Sequence, residues 1–195
     1  MRLSSWRSTL AAGVLVLAGC ATVAPPPSGL PGRADLRDFA LEARFALRLE
    51  RPYQGPESAS GRLSWEHSGS TDHILVSNPL GQGVAEIDQG PQGARLRTGD
   101  GQVREAADAG ALLQEATGYP LPLGELPAWL LGRPTASGQV VADGRGRPKT
   151  LADAGWRIEY DYDDEAAGAL PARLTLRRDS SLEVRLRIEE WRSLP

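Results

Sequence analysis

The segment Leu182-Glu183-Val184-Arg185-Leu186-Arg187-Ile188-Glu189 is the most informative part of the sequence about the fold. Apolar and charged residues alternate along its whole length. Successive side chains of a β-strand point to opposite faces, so this period of two predicts a strand with one buried face and one solvated face. Strands of this kind are typical of antiparallel sheets.

The same alternation recurs on both sides of the middle of the chain. It is found at residues 45–50, 62–66, 85–88, 95–97, 156–161 and 173–177, and residues 73–76 form a nearly continuous apolar run. Each of these segments predicts a short strand. The sequence therefore predicts two groups of strands with a different structure between them.

The middle of the chain changes to a helical period. Four apolar residues would share one face of a helix: Ala109, Leu112, Leu113 and Ala116. Asp108 is its predicted N-cap and Gly118 the residue that ends it. Pro127 favours the first turn of a second short helix that ends at Gly132. Together these patterns predict an α+β fold, in which a single antiparallel sheet curls around its apolar face under a cover of helices.

Residues 1–19 have the features of a lipoprotein signal peptide. Arg2 and Arg7 precede an apolar run at 10–17. A transmembrane helix needs roughly 20 apolar residues, so this run is too short to span a bilayer. The segment ends in Leu17-Ala18-Gly19-Cys20, which has the pattern of a lipobox.

The lipobox predicts where the mature protein is attached and sorted. Cys20, the sole cysteine of the chain, is the predicted lipid attachment site. The next residue is Ala21 and not the aspartate that favours retention at the inner membrane, so we expect the periplasmic face of the outer membrane. Residues 20–34 are rich in proline and glycine and predict an extended tether. Residues 35–195 then form one domain.

Composition and the titratable residues exclude several classes of function. With 22 basic and 25 acidic residues the net charge is −3, which gives no footprint for nucleic acid. His67 and His73 flank the turn 68–71 and could face each other across a hairpin, where a surface pair is expected and not a zinc site. The acidic run 161–165 lacks the spacing of a calcium loop. We therefore predict no metal, no cofactor and no enzymatic activity.

One turn departs from the usual polar composition. In Ser77-Asn78-Pro79-Leu80-Gly81, Asn78 and Pro79 favour a turn and Gly81 permits a positive φ, which places Leu80 near the tip. Leu80 either folds back to fill the end of the core or stays exposed to contact a membrane or a lipid chain. Pattern alone leaves both interpretations open.

Several short motifs along the mature chain resemble those of the LolB family of outer-membrane lipoproteins. They are Phe45-Ala46-Leu47, Gly61-Arg62-Leu63-Ser64-Trp65, Asn78-Pro79-Leu80-Gly81, Gly118-Tyr119-Pro120-Leu121-Pro122, Trp129-Leu130-Leu131-Gly132, Gly155-Trp156-Arg157-Ile158-Glu159-Tyr160, Leu170-Pro171 and Trp191. Their order behind a lipobox makes the resemblance specific. The segment before the first strand is shorter than the family pattern implies, which leaves open whether a first helix forms around Asp35–Leu41 and what structure residues 35–43 adopt.

The resemblance implies a half-open β-barrel with a helical lid and an apolar cavity for acyl chains. It implies an acceptor that takes client lipoproteins from a LolA-like periplasmic carrier and inserts them into the outer membrane, and we expect this acceptor to be a monomer. The loop Asn78, Pro79, Leu80 and Gly81 would take part in insertion, with Leu80 protruding. The predicted cavity-lining residues are Phe45, Leu47, Leu63, Trp65, Ile74, Val76, Trp129, Trp156 and Ile158.

Two other functions stay open at this point. An accessory lipoprotein of an outer-membrane assembly machine would bind protein partners and have a solid core, because ordinary packing explains each inward apolar residue equally well. An anchored periplasmic hydrolase would depend on His67 or His73.

Overall fold

The computed structural model describes residues 30–51, 53–117 and 121–195. The signal peptide, Cys20, Ala21, most of the tether and the predicted helix end at Gly118 lie outside these ranges. The described elements are β1 (Phe39–Arg51), β2 (Gln54–Ser68), β3 (Thr71–Ser77), β4 (Gly83–Gly90), β5 (Gly93–Thr98), β6 (Val103–Ala106), α1 (Ala109–Thr117), α2 (Leu126–Leu130), β7 (Gln139–Ala142), β8 (Pro148–Asp153), β9 (Trp156–Asp161), β10 (Arg173–Arg178) and β11 (Leu182–Ser193).

The strands of these ranges form one antiparallel sheet in the order β6-β5-β4-β3-β2-β1-β11-β10-β9-β8-β7. β1 and β11 join the two halves at the centre, with Phe39 opposite Ser193 and Leu49 opposite Leu182. β6 and β7 are the two edges. Because the edges do not pair with each other, the curled sheet remains a half-open barrel, as predicted.

The chain between the two edge strands covers the concave face. α1 packs on β4, β5 and β6, and its predicted N-cap is confirmed because the Ala111 N–H donates to Asp108 Oδ1 at 2.8 Å. α2 begins next to Pro127, and Gly132 follows its last turn with φ 67°. A Cβ at Gly132 would lie 2.3 Å from Pro148 Cγ, so this glycine also allows the close approach to β8. The α+β architecture with a helical lid is confirmed.

The amino-terminal segment of the domain enters at one end of the sheet. Arg133 Nη2 donates to the carbonyl oxygens of Arg33, Ala34 and Leu36 at 2.9, 3.1 and 2.6 Å. Leu36 is 1% exposed, and β1 begins three residues later at Phe39. Residues 33–35 form a turn, so the strand and not a helix occupies most of the segment 35–43.

Some details differ from the sequence-based expectations. β6, β7 and β8 are further short strands that the alternation did not indicate. His67 and His73 do not face each other, because register places His67 opposite Asp72 and His73 opposite Glu66, on opposite faces of the sheet. None of the described helices has the length and apolar character needed to cross a bilayer.

Candidate functional site

An apolar cavity of about 560 Å³ lies between the concave face of the sheet and the helical lid. Its polar lining residues are Arg51, Glu57, Ser58 and Thr98, and the remainder of the wall is apolar. Arg51 and Glu57 form an ion pair at 3.3 Å. Both lie near the tip of the β1–β2 hairpin, so the charged part of the wall is at this end of the sheet, which we call the mouth.

Seven of the predicted lining residues are in the wall of this cavity: Phe45, Leu47, Leu63, Trp65, Ile74, Val76 and Trp156. Phe45, Leu47, Leu63 and Val76 point inward but are only partly buried. Inward apolar side chains that keep solvent-accessible surface indicate an open cavity at this end and not a close-packed core.

Trp129 and Ile158 are placed elsewhere. Both are 0% exposed and belong to a packed region where α2 closes directly onto β8 and β9. The Trp129 indole N–H donates to Asp153 Oδ2 at 3.0 Å, and the Tyr160 hydroxyl donates to the Trp129 carbonyl at 2.7 Å. The lid is therefore closely packed against the sheet in this region, and Trp129 and Ile158 do not line the cavity.

Asp153 is the polar anchor of this packed region. It also accepts from the Thr135 backbone N–H at 2.6 Å and from the Thr135 hydroxyl at 2.6 Å. Burial by itself raises the pKa of Asp153, but the hydrogen bonds from Thr135 and Trp129 outweigh it and hold the pKa below its ordinary value. The carboxylate is thus charged at neutral pH and fixes α2 to β8.

A second buried aspartate positions the cavity wall itself. The Trp65 indole N–H donates to Asp72 Oδ1 at 2.8 Å, and His67 Nδ1 lies 2.7 Å from the same oxygen. Asp72 is 7% exposed. These bonds fix the indole ring of Trp65 while its apolar surface lines the cavity.

Part of the wall was not predicted from the sequence. From the sheet it comprises Leu49, Ala59, Ala85, Ile87, Leu96, Leu176, Leu182, Val184 and Leu186, and from the lid Leu113, Leu121, Pro122, Leu123 and Leu126. The alternation of β1, β4, β5, β10 and β11 was the signal for all of these sheet residues except Ala59. Leu113 was placed on the apolar face of α1, but the sequence did not show that this face borders a cavity.

The β3–β4 loop holds Leu80 outward. Asn78 Oδ1 accepts from the backbone N–H groups of Leu80 at 2.9 Å and Gln82 at 3.0 Å, and the Gly81 N–H donates to the Asn78 carbonyl at 2.9 Å. Gly81 has φ 85°, which a residue with a Cβ rarely adopts. Leu80 is 87% exposed and does not fold back into the core.

The loop and the mouth of the cavity lie at the same end of the molecule. Val76 lines the cavity, and Asn78 begins the loop two residues later. The loop follows the end of β3 that lies toward the mouth, because Ser77 pairs with Arg62 and the β1–β2 hairpin continues beyond that row. The loop with Leu80 therefore lies on the same side of the sheet as the mouth.

One cluster of potential metal ligands lies outside the cavity. Within the described ranges, ligand atoms of His73, Glu86 and Asp88 lie within 4.8 Å of one another on the outer face. His73 Nδ1 is 2.6 Å from Asp88 Oδ1, and Glu86 pairs with Arg97 at 3.2 Å. Each of these side chains therefore already has a partner within the sheet.

Comparison with known proteins identifies the family. Residues 37–191 match the family model described as outer membrane lipoprotein LolB. The chain belongs to the LolB family. An outer-membrane lipoprotein LolB of Dechloromonas aromatica is 49% identical over 189 residues, which cover 97% of this chain and 98% of the relative. A LolB of Thiobacillus denitrificans is 39% identical and covers 92% of this chain and 93% of its own length.

A solved structure of a LolA superfamily protein from Nitrosomonas europaea is similar at a TM-score of 0.47 and 11% identity, covering 80% of this chain and 87% of that one. Membership in the LolB family rests on the closer relatives and on the family match. It confirms the prediction of a lipid-anchored outer-membrane lipoprotein that serves lipoprotein localisation.

Proposed function

We propose that this LolB-family protein receives lipoproteins from a LolA-like periplasmic carrier by binding their acyl chains in its cavity, and then inserts them into the outer membrane. The observation that carries the proposal is the cavity of about 560 Å³ with its apolar wall. This volume lies within the range of about 300–1,000 Å³ that is usual for small-molecule sites. Phe45, Leu47 and Val184 supply surface that is apolar, inward-facing and only partly buried.

The driving force is the removal of acyl chains from water. Each methylene that is shielded contributes about 0.8 kcal/mol, so a lipoprotein in the periplasm needs a continuous apolar cover. A cavity that binds the chains more tightly than the carrier drives transfer in one direction. The bilayer binds them more tightly still, so neither nucleotide hydrolysis nor another covalent step is part of the proposed mechanism.

Leu80 and its loop are proposed to act at the second step. An exposed leucine that enters the apolar part of a bilayer contributes about 2 kcal/mol, which assists a transfer but does not anchor a protein. The hydrogen bonds of Asn78 keep this side chain outward, beside the end of the sheet where the cavity opens. The loop would therefore bring the mouth to the membrane surface while chains leave.

Anchoring is proposed to be the task of acyl chains on Cys20. A single chain binds a membrane only marginally, whereas two or more give stable attachment. The tether 20–34 then connects this anchor to the segment held by Arg133.

The test is a transfer assay in two stages. The acyl-anchored protein in liposomes is mixed with a carrier that holds a labelled, acylated lipoprotein, and the label is followed to the acceptor and then to the bilayer. We expect the label to leave the carrier and reach the bilayer. Label that stays on a functional carrier from the same organism contradicts the proposal and favours an accessory role in outer-membrane assembly.

A further inference from the structure

Part of β2 has a strand edge that no other described strand covers. β3 pairs with β2 only from Arg62 to Ser68, and its last residue, Ser77, lies opposite Arg62. β2 nevertheless continues toward the mouth as residues 54–61, of which Gln54 and residues 57–61 pair with β1 on their other side. Residues 55–60 are exposed. An open strand edge is a template for a further strand.

Hydrogen bonding at the centre of the sheet shows which residues face this edge. The Glu50 N–H donates to the Ser181 carbonyl at 2.7 Å, so the backbone of Glu50 faces β11. Backbone groups of successive residues alternate in direction, and Leu49 therefore faces β2, where its partner is Glu57. Glu57 and every second residue after it are thus bonded to β1.

The residues between them face outward from the sheet edge. The backbone N–H and C=O groups of Ser58 and Ser60 point away from β1, toward the side on which β3 no longer pairs with β2. Pro56 lies where the register with β1 shifts, between the pairs Leu49–Glu57 and Arg51–Gln54, and a proline is tolerated at such an irregular edge position. The side chains of Ser58, Ala59 and Ser60 are small, so another backbone can approach this edge closely.

The open edge is continuous with the cavity. Glu57, Ser58 and Ala59 lie on it and also line the cavity. A lipoprotein presents acyl chains on its first cysteine and, directly after that cysteine, a peptide. If the chains occupy the cavity, that peptide would emerge beside residues 57–61 of β2, which pair with β1 on one side and with no described strand on the other.

We propose that this edge binds the peptide that follows the acylated cysteine of a client lipoprotein, as an added β-strand. Strand addition uses main-chain hydrogen bonds and is therefore tolerant of peptide sequence, which suits an acceptor for many clients. The inference rests on the proposed function, since it takes the acyl chains to be in the cavity. It adds that the protein distinguishes a lipoprotein from a free lipid, because only the lipoprotein has a peptide backbone that can pair with β2.

The first test uses disulfide formation between acceptor and client. Because Cys20 is the only native cysteine and is expected to be acylated, Ser60→Cys gives the full-length, anchored protein one reactive thiol. Clients carry one added cysteine at successive positions after the acylated one. An added strand predicts cross-linking yields that rise and fall with a period of two, because alternate side chains share a face. Ser70→Cys, an exposed residue in the turn at the other end of β2, is the control and should give low, even yields.

The second test uses Ser60→Pro, which removes one outward N–H and leaves the bonds to β1 in place. We expect binding of an acylated peptide to weaken about tenfold and binding of palmitate to stay within the error of the wild type. Equal effects on both ligands, or cross-linking without periodicity, overturn the strand proposal. Cross-linking of Ser60→Cys to the carrier in place of the client also overturns it. Failure of the wild type to bind palmitate contradicts the proposed function itself.

Discussion

Ala85→Phe tests whether the cavity is the proposed acyl-chain site, because it fills the cavity from within. Ala85 lies on β4 between Val76 and Thr98, lines the cavity and is only partly buried. In Ala85→Phe the phenyl ring would occupy space now open to an acyl chain. If it displaces about three methylenes at about 0.8 kcal/mol each, binding weakens by about 2.4 kcal/mol, or roughly 50-fold.

Val84 provides the matched control for this substitution. It is the neighbouring residue on the opposite face of β4 and is 43% exposed. Val84→Phe should bind a fluorescent acyl probe like the wild type in an equilibrium titration. Ala85→Phe should keep the wild-type melting temperature, because the ring enters open space and creates no new void. A folded Ala85→Phe protein with unchanged probe affinity would refute the assignment of the acyl site to this cavity.

Three further predictions concern the loop, the packed region and the histidines. Leu80→Ser should leave release from the carrier unchanged and slow delivery of label to liposomes, whereas Leu75→Ser, 44% exposed on β3, should affect neither step. The pKa of Asp153 lies below its ordinary value of 3.8 in the folded protein. Its stabilising effect is therefore complete near neutral pH and is lost as the pH falls toward and through the lowered pKa. Asp153→Asn should therefore flatten the decrease of melting temperature between pH 5 and 3 and lower it at pH 7 by an amount equivalent to about 1–3 kcal/mol. His67→Gln and His73→Gln should leave the transfer rate within a factor of two of the wild type, and abolition of transfer by either would favour a catalytic role.

Alternation predicted the inward face of each long strand but only part of its length, since it indicated residues 45–50 of β1 and 62–66 of β2. It could not indicate β7, whose residues Gln139–Ala142 are all exposed, since a strand without a buried face has no period to read. β8 begins at Pro148 and includes the buried Asp153, which interrupts the apolar pattern. β8 forms because β9 offers an edge on which it pairs, and β7 in turn pairs with β8.

Periodicity gives the direction of a side chain but not what fills the space in front of it. Trp129 and Ile158 point inward, as Trp156 does, yet only Trp156 borders the cavity. The difference depends on where α2 is held, through the hydrogen bond from Trp129 to Asp153, and this contact joins residues 24 positions apart. The exposure of Leu80 likewise depends on the Asn78 side chain folding over its own loop, for which the sequence supplied the residues but not the outcome.

The position at which Arg133 binds the amino-terminal segment sets the maximum distance between the mouth and the membrane anchor of the protein. The segment 33–36 is held beside the end of the sheet where Phe39 begins β1, while the mouth lies past the other end of this 13-residue strand. At about 3.3 Å per residue the strand is about 43 Å long, and residues 20–34 reach at most about 50 Å when fully extended. If Cys20 carries the anchor, the mouth can reach the bilayer only when the tether is almost fully extended and the domain is inverted. With a shorter distance between the ends of the tether, the mouth would face the periplasm. Receiving and delivering would then correspond to two orientations of the same domain relative to the membrane. Deleting a few residues of the tether should abolish the delivering orientation alone.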